Sequence, residues 1–332
     1  MPPNKFIQQL IFTILVLSSA SPVHAETMLL TDHPLVGKVW DMRSRTYIKE
    51  TELPAWINSA DVLLLGEIHD NPVHHELQLK LLKARIDSGA RPSLMMEQLD
   101  AVNQPILDQA LSGSNRDEVL RNVTALIKFT DWEFYSPLAA MAIDYKLPII
   151  AANVTNQHLQ PVIWRGFEAY DAAELKRLAV EQVWSESRQN YLVSHMGGAH
   201  CGKLKDELRA GLTRSQRLRD ALMVDSTIRS IERGVVAIVG SSHARRDIGL
   251  PLYFAARNKK ARIVSIGFVE VNQDRNDPQA YGGDSATGEA PFDLIWFTPR
   301  VNRTDPCADY GKPKAEAQPA NEPAQPILDS AE

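Results

Sequence analysis

The chain has 332 residues and a formal net charge of −5 at pH 7, from 36 Lys and Arg residues against 41 Asp and Glu residues. The basic residues are scattered along the sequence, so the charge pattern argues against a protein that binds nucleic acid. Beyond the first residues, no run approaches the roughly 20 apolar residues that a membrane-spanning helix needs.

The two ends of the chain are predicted to lie outside the fold. Residues 1–25 combine Lys5, a short hydrophobic core and the sequence Val23-His24-Ala25, which together form the pattern of a secretory signal peptide. No cysteine stands near the cleavage site, so we expect an exported soluble protein, periplasmic or secreted, and not a lipoprotein. Residues 302–332 have a Pro-, Ala- and Glu-rich composition typical of disorder. One folded domain is therefore expected over residues 26–301.

Within the domain, predicted strands alternate with predicted helices. Two short strands around a turn are expected in residues 37–50, and a helix from Pro72 to about Asp87. Further helices are expected near residues 101–112, 115–129, 136–146 and 249–257. Core strands are expected at residues 61–67, 93–97, 148–153, 235–239, 262–268 and 294–297. This alternation indicates an α/β fold with a mainly parallel central sheet and helices on both faces.

A long helical block, about residues 156–232, follows the third core strand. We expect it to form a helical insertion on or beside the sheet, broken near Gly197-Gly198 and Gly202. The block contains Cys201, and the tail contains Cys307. These two cysteines could form one disulfide that fixes the start of the tail, or they could remain two unpaired thiols.

Two Gly-x-x-His turns follow core strands: Gly66-Glu67-Ile68-His69 and Gly240-Ser241-Ser242-His243. Because ligands of open α/β sheets bind outside the carboxyl ends of the strands, both histidines could face one crevice. Other polar residues at strand ends or beside the turns are assigned to the same crevice: Glu67, Glu97, Asn153 and Arg246. Of the neighbouring Arg245 and Arg246, an arginine could hold a carboxylate or phosphate group, and one of the two is expected to pair with Asp247.

Two imidazoles and a carboxylate, from His69, His243 and Glu97, suit two kinds of chemistry. They could bind a divalent metal, or one histidine could act as a general base oriented by a carboxylate. Either use would suit a hydrolase of esterase or peptidase type, although the Gly-x-Ser-x-Gly motif of a serine hydrolase is missing. The alternative is that each polar group caps the helix that follows or satisfies the hydrogen bonds of a loop. The neighbouring His74 and His75 are predicted to lie on the surface.

A second group of candidate ligands lies in the helical block and consists of Tyr191, His195, Met196 and His200. Tyr191 and His195 are four residues apart, so on a helix they share a face. Phenol, imidazole and thioether groups all serve as ligands of haem iron. The Cys-x-x-Cys-His attachment motif of covalently bound haem is missing, so these side chains alone do not decide for haem.

Several sequence motifs occur together over about residues 37–271, in one order: Gly66–Asn71, Met96–Gln98, Asp131–Glu133, Tyr135–Leu138, Pro148–Asn153, Gln216–Met223 and Gly240–Pro251. In this combination the chain resembles the ChaN-like haem-binding uptake family. That family belongs to a wider superfamily with the Tiki, TraB and erythromycin-esterase-like proteins.

The resemblance implies an exported haem-binding protein of bacterial haem and iron uptake or storage. It implies haem as the cofactor, haem receptor or transporter components as partners, and a homodimer. In the wider superfamily, the positions of His69, Glu97 and His243 surround one crevice and would be catalytic only in an enzyme, a metal-dependent hydrolase. The haem iron ligand is mapped to Tyr191, His195 or His200, on the helical block at some distance from that crevice.

Overall fold

The computed structural model describes residues 27–127, 132–199, 201–281, 285–303 and 307. The described strands are Met28–Leu29 (β1), Val39–Asp41 (β2), Thr46–Ile48 (β3), Val62–Glu67 (β4), Ser93–Asp100 (β5), Ile149–Asn153 (β6), Val235–Gly240 (β7), Ile263–Glu270 (β8), Leu294–Thr298 (β9) and Arg300–Val301 (β10). The described α-helices are Leu53–Ser59 (α1), Pro72–Asp87 (α2), Gln104–Leu111 (α3), Arg116–Thr124 (α4), Trp132–Asp144 (α5), Asn156–Arg165 (α6), Ala172–Arg177 (α7), Glu186–Ala199 (α8), Asp206–Thr227 (α9), Ser241–Ala244 (α10) and Leu250–Arg257 (α11).

The central sheet has the strand order β3-β2-β9-β8-β4-β7-β5-β6, and β1 pairs with β10 in a separate antiparallel ribbon. From β9 to β6 all neighbouring strands are parallel. Only β2 and β3, at one side of the described sheet, add antiparallel pairs. The mainly parallel α/β sheet expected from the sequence is confirmed.

Alternate residues of the central strands enter two separate cores. In β4, Val62 and Leu64 face one core, whereas Leu63 and Leu65 face the other. The first core packs against α6, α9 and α11, and the second packs against the helices from α1 to α5. Because both faces of these strands are covered, their sequences are continuous apolar runs and do not alternate with polar residues.

The helical block supplies the cover on the first face. α9 packs against α6, α11 and β6, and at its crossing with α6 a Cβ on Gly211 would clash with the carbonyl oxygen of Ile163. The break expected near Gly197-Gly198 and Gly202 is confirmed, because both glycines of the first pair lie in the last turn of α8, which ends at Ala199. The chain turns at Cys201 and Gly202, both of which have positive φ.

The structure joins Cys201 to Cys307 in a disulfide with a Cα–Cα distance of 5.5 Å, which settles the two alternatives left open by the sequence. The expected signal peptide lies outside the described residues, as does the expected tail apart from residues 302, 303 and 307. Within the described ranges, none of the helices is both long enough and apolar enough to span a bilayer.

Candidate functional site

The two Gly-x-x-His turns lie side by side at the carboxyl edge of the sheet. They follow β4 and β7, which are neighbouring parallel strands whose register pairs Glu67 with Gly240. On the other side of β7, β5 carries Glu97 to the same edge. The structure therefore brings His69, Glu97 and His243 together.

The glycines of the two turns allow this close approach. A Cβ on Gly66 would lie 2.7 Å from the Cβ of Ala244, just after the second turn. A Cβ on Gly240 would lie 3.1 Å from Nε2 of His69, in the first turn. Each glycine thus makes room for atoms of the other turn, which is a steric reason for glycine at the start of both motifs.

Glu67 is the centre of a buried hydrogen-bond cluster behind His69. Its carboxylate accepts hydrogen bonds from His69 Nδ1 at 2.8 Å, the Tyr135 hydroxyl at 2.8 Å, the Gln98 amide at 3.1 Å and the Gln78 amide at 2.5 Å. Burial lowers the pKa of His69, but the hydrogen bond to Glu67 and the charges of Glu97 and Glu67 raise it above its ordinary value overall. The His69 side chain remains 40% exposed. A carboxylate paired with a partly exposed imidazole is the arrangement of an oriented general base.

His243 lies between two carboxylates. Its Nδ1 is hydrogen-bonded to Asp220 of α9, and its Nε2 lies 3.4 Å from Oε1 of Glu97. Burial lowers the pKa of His243, but these carboxylates raise it to about 10. For Glu97 the signs are reversed: burial raises its pKa, but His243 lowers it to about 2. His243 is therefore a buried cation, and Glu97, which also accepts the Gly240 N–H at 2.6 Å, is its anionic partner.

Two residues of α9, Gln216 and Asp220, complete the surroundings of His243, and sequence reasoning did not assign them to the site. The Gln216 amide nitrogen lies 3.1 Å from His243 Nδ1. Asp220 is buried, and burial raises its pKa more than the neighbouring His243 lowers it. Gln216 and Asp220 are four residues apart and so share a face of the helix. An acidic residue between the apolar Leu218 and Ala221 was the signal available in the sequence.

Helix α8 forms one wall of the crevice. Its Leu192, His195 and Met196 line the same pocket of about 340 Å³ as His69 and His243. His195 Nε2 lies 3.2 Å from the Ser242 hydroxyl, in the second turn. For His195 and Met196, the expectation that the haem-ligand candidates lie at some distance from the crevice is therefore wrong. These two residues line the same pocket as His69, Glu97 and His243.

Tyr191 belongs to the same wall. Its ring stacks on the His195 ring with centroids 5.9 Å apart, as the four-residue spacing predicts. The Arg245 guanidinium lies 5.0 Å from the centroid of the Tyr191 ring. Arg245 also pairs with Asp247 at 2.7 Å, so one arginine after the second turn pairs with this aspartate, as expected. His200, the remaining ligand candidate, lies outside the described residues.

Asn153 and Arg246 lie elsewhere, and their assignment to the crevice is corrected. Asn153 ends β6, which β5 and β7 separate from β4, and its amide donates to Asp100 at 2.8 Å. Arg246 points toward the loop before β9, where it pairs with Asp293 at 2.8 Å. The order of strands in a sheet differs from their order in the chain, so equivalent strand ends need not meet.

His74 and His75 are buried, which corrects the expectation that they lie on the surface. His74 Nδ1 accepts the Ile68 N–H at 2.9 Å, and burial lowers the pKa of His74 to about 3, so it stays neutral. His75 Nε2 lies 2.9 Å from the carbonyl oxygen of His69, and its ring stacks on Phe134 of α5. Both histidines are buried because neighbouring elements cover this side of α2. Both also bond the backbone of the first turn and so support it.

The donors in the pocket fit haem better than a divalent metal. Among the described residues, no group of three or more His, Cys, Asp and Glu side chains is arranged to hold a metal ion. The crevice imidazoles face carboxylates that hold them in place, His69 facing Glu67 and His243 facing Asp220. The α8 wall instead presents the imidazole of His195 and the thioether of Met196, two kinds of haem iron ligand, beside the apolar Leu192, and the Tyr191 ring stacks on His195.

Comparison with known proteins identifies the family. The sequence profile of the family described as "Haem-binding uptake, Tiki superfamily, ChaN" matches residues 54–254, which is more than half of the chain. ChaN of Campylobacter jejuni, whose structure is described as showing cofacial haem binding, has a similar fold. Its TM-score is 0.62 at 19% identity, over 78% of this chain and 95% of that one.

More distant similarity links the chain to a mutant of the erythromycin esterase EreC in its open conformation. The TM-score is 0.35 at 11% identity, over 67% of this chain and 73% of that one. No curated protein matches the chain significantly. On the strength of the profile match, the chain belongs to the ChaN family of haem-binding uptake proteins, within the Tiki superfamily.

Proposed function

We propose that this chain is an exported haem-binding protein of bacterial haem and iron uptake or storage. In this proposal haem binds at the pocket between α8 and the two Gly-x-x-His turns, and the iron ligand is Tyr191, His195 or His200. The observation that carries the proposal is the α8 wall, which gathers iron-ligand side chains at the pocket of a haem-family protein.

The surroundings of the pocket support a flat apolar ligand. Leu192 and Ile248 are buried against Ala286, and the partly buried Met196 and Trp184 pack on them. A volume of about 340 Å³ lies at the small end of the roughly 300–1,000 Å³ typical of ligand pockets. The pocket would therefore hold part of the macrocycle, and a second surface would cover the rest.

A hemin titration of the purified mature protein tests haem binding. We expect a saturable shift of the Soret band at micromolar hemin. Single variants of the candidate ligands then identify the iron ligand: Tyr191→Phe, His195→Ala, Met196→Leu and His200→Ala. The variant that removes the ligand should change the spectrum and weaken binding at least about tenfold, a loss of about 1.4 kcal/mol.

His158→Ala is the matched control for these variants. His158 is an exposed histidine of α6, where it lies 3.3 Å from the Tyr170 hydroxyl, and it does not line the crevice pocket. Its replacement should leave the hemin spectrum and affinity unchanged. A wild-type protein that shows no saturable Soret shift would overturn the proposal.

The proposed location is the periplasm or the outside of the cell, reached through cleavage of residues 1–25, with the protein soluble and without a lipid anchor. The disulfide supports this location, because disulfides persist mainly in oxidising compartments. Cell fractionation of the full-length chain and of a chain lacking residues 1–25 should place only the former outside the cytoplasm.

We further propose a homodimer that delivers haem to or receives it from a haem receptor or transporter component. The support is the second surface that the small pocket requires, together with the cofacial haem described for Campylobacter jejuni ChaN. Analytical ultracentrifugation with increasing hemin should show a dimer at one hemin per chain. A monomer at saturating hemin would contradict this part of the proposal.

A hydrolase is the second candidate function, favoured by the pairing of Glu67 with His69 beside the pocket. In this alternative the imidazole of His69 takes a proton from a water molecule that attacks an ester or peptide carbonyl. An ester and peptide panel, assayed with and without Mn²⁺ or Zn²⁺, tests it. Turnover that falls at least about 100-fold in His69→Gln would support the alternative. The absence of any turnover would count against it.

A further inference from the structure

Helix α8 buries few apolar side chains against the rest of the domain. Among its described side chains, Leu192 is the one apolar side chain that is buried. It belongs to a small cluster with Ile248 and Ala286, separate from the two cores that surround the sheet. The polar contacts of α8 include the hydrogen bond of Arg188 to the carbonyl oxygen of Asp247. Elements with few buried contacts open more easily than the rest of a fold.

The disulfide is attached to the end of this helix. Cys201 follows α8 and has φ of 60°. Its N–H bonds the carbonyl oxygen of Gly198, and the Gly202 N–H bonds that of Gly197. These two hydrogen bonds form a Schellman motif, in which the left-handed position usually carries glycine. A cysteine at that position places its sulfur at the carboxyl end of α8.

The other cysteine of the disulfide follows closely in sequence a residue that bonds just after the first Gly-x-x-His turn. Cys307 comes four residues after Arg303, which forms paired hydrogen bonds with Asp70 at 2.5 and 2.6 Å. Asp70 directly follows His69 in the sequence. Arg303 also bonds Glu270 at 2.7 Å, at the end of β8. Arg303 thus attaches the chain beside the first turn, and four residues later the disulfide attaches it to the end of α8.

We propose that the Cys201–Cys307 disulfide is a thiol-sensitive strap that holds α8 over the pocket, and that its reduction loosens α8 and releases the bound ligand. The identification of that ligand as haem rests on the function proposed above. The strap itself rests on the disulfide at the end of α8 and on the attachment of Arg303 to Asp70. The reductant is a dithiol, the chemical class that reduces protein disulfides.

The reaction is an ordinary thiol–disulfide exchange. One thiolate of the dithiol attacks a sulfur of the disulfide, the S–S bond breaks, and a mixed disulfide forms while the other cysteine leaves as a thiolate. The second thiol of the reductant then displaces the remaining protein cysteine. Two electrons and two protons pass to the protein, which ends with two thiols, and the reductant ends as a disulfide.

Hydrogen exchange, measured by mass spectrometry on the mature protein without hemin, tests the strap. The oxidised protein is compared with the dithiol-reduced protein and with Cys307→Ser. We expect exchange in α8 to rise at least about tenfold after loss of the disulfide, while α9 and β4 keep their protection. Cys201→Gly should behave in the same way, because glycine retains the left-handed cap without the disulfide.

The hemin measurement uses Cys307→Ser in place of reduced protein, because a thiol reductant would also react with ferric haem. Transfer of hemin to an excess of a competing haem-binding apoprotein gives the dissociation rate. This rate should be at least about tenfold faster in Cys307→Ser than in the oxidised wild type. Arg303→Gln, which weakens the other attachment of the strap, should raise the rate in the same direction.

The outcomes separate the strap from the haem function. Unchanged α8 exchange, in protein shown by thiol titration to contain two thiols, would overturn the strap. Faster α8 exchange together with equal hemin dissociation rates would overturn the claim that the disulfide controls release of the ligand. Faster α8 exchange in a protein that never binds hemin would support the strap and overturn the haem function.

Discussion

Histidines near one edge of the sheet are held in different protonation states by their partners. His74 is buried as the acceptor of a backbone N–H, and its pKa falls to about 3. His243 is equally buried, but Glu97 and Asp220 raise its pKa to about 10. His69 lies between these cases, partly exposed and hydrogen-bonded to Glu67. Burial alone therefore does not decide the charge of a histidine, and the partner on each ring nitrogen does.

The raised pKa of His243 predicts a loss of stability in alkali. Because its pKa is raised from 6.5 to about 10 in the fold, its contribution is complete below pH 6.5 and is lost as pH rises through 10. Glu97, with a pKa lowered from 4.5 to about 2, contributes above pH 4.5 and loses that contribution as pH falls through 2. Together they favour the fold most between pH 4.5 and 6.5. Urea unfolding from about pH 2 to about pH 10.5 should show this window.

Asp220→Asn tests the source of the shift. The variant removes one carboxylate beside His243, so we expect it to lower the pKa of His243 and to reduce the free energy of unfolding near neutral pH by about 3 kcal/mol. The decline in stability toward alkaline pH should become smaller than in the wild type. Asp225→Asn, a more exposed aspartate of the same helix, is the control. An equal alkaline decline in both variants would refute the assignment.

At the scale of elements, the sequence predicts where strands begin and end better than it predicts which strands and helices pack side by side. The apolar runs before Gly66 and Gly240 identify β4 and β7, because strands covered on both faces need continuous apolar residues. The position of α8 over the crevice was not predicted, because it depends on packing between segments far apart in the chain. For the same reason Asn153 was misplaced, while Asp220 was overlooked on a helix whose register against the sheet is a tertiary property.

Two glycines of the helical block should respond in opposite ways to alanine. Gly198 lies inside α8 and is exposed, and a Cβ added there would meet no neighbouring atom within 4 Å. Gly198→Ala should therefore raise the protection of α8 amides by about 1 kcal/mol. A Cβ on Gly211 would meet the Ile163 carbonyl oxygen, so Gly211→Ala should lower the free energy of unfolding by about 1–3 kcal/mol. Hydrogen exchange measures the first effect and urea unfolding the second. Equal effects of the same sign would contradict this account of the two helices.

At the scale of the whole molecule, the two ends of the folded chain are fastened together and to the site. β1 and β10 pair with each other, and Arg303 after β10 reaches Asp70 and Glu270. Asn71 also donates to Glu270, at 2.7 Å. The expected end of the domain near residue 301 therefore underestimates how far the chain takes part in the structure. Charged residues in a Pro-rich segment gave no sign of this in the sequence, because the partners of Arg303 lie far away in the chain, just after the first turn and at the end of β8.

Removal of the Arg303 side chain should destabilise the molecule more than removal of an exposed arginine. Arg303→Gln leaves Asp70 and Glu270 facing each other without a cation, and we expect a loss of about 1–2 kcal/mol in the free energy of unfolding. Arg116→Gln breaks a similar forked pair with Asp144 on an exposed surface and should barely change the urea midpoint. Equal midpoints for the two variants would refute a structural role of Arg303.

The position of β7 between β4 and β5 governs when the site can form. β4 and β5 are consecutive in the chain, yet the sheet separates them by a strand that is synthesised after the whole helical block. A chain that ends before β7 lacks the second turn and has a gap between the strands that carry His69 and Glu97. Long-range parallel pairing is slow, so the pocket should appear in the last step of folding and with it any capacity to bind a ligand. Premature pairing of β4 with β5 is thus the misfolding event that this topology must avoid.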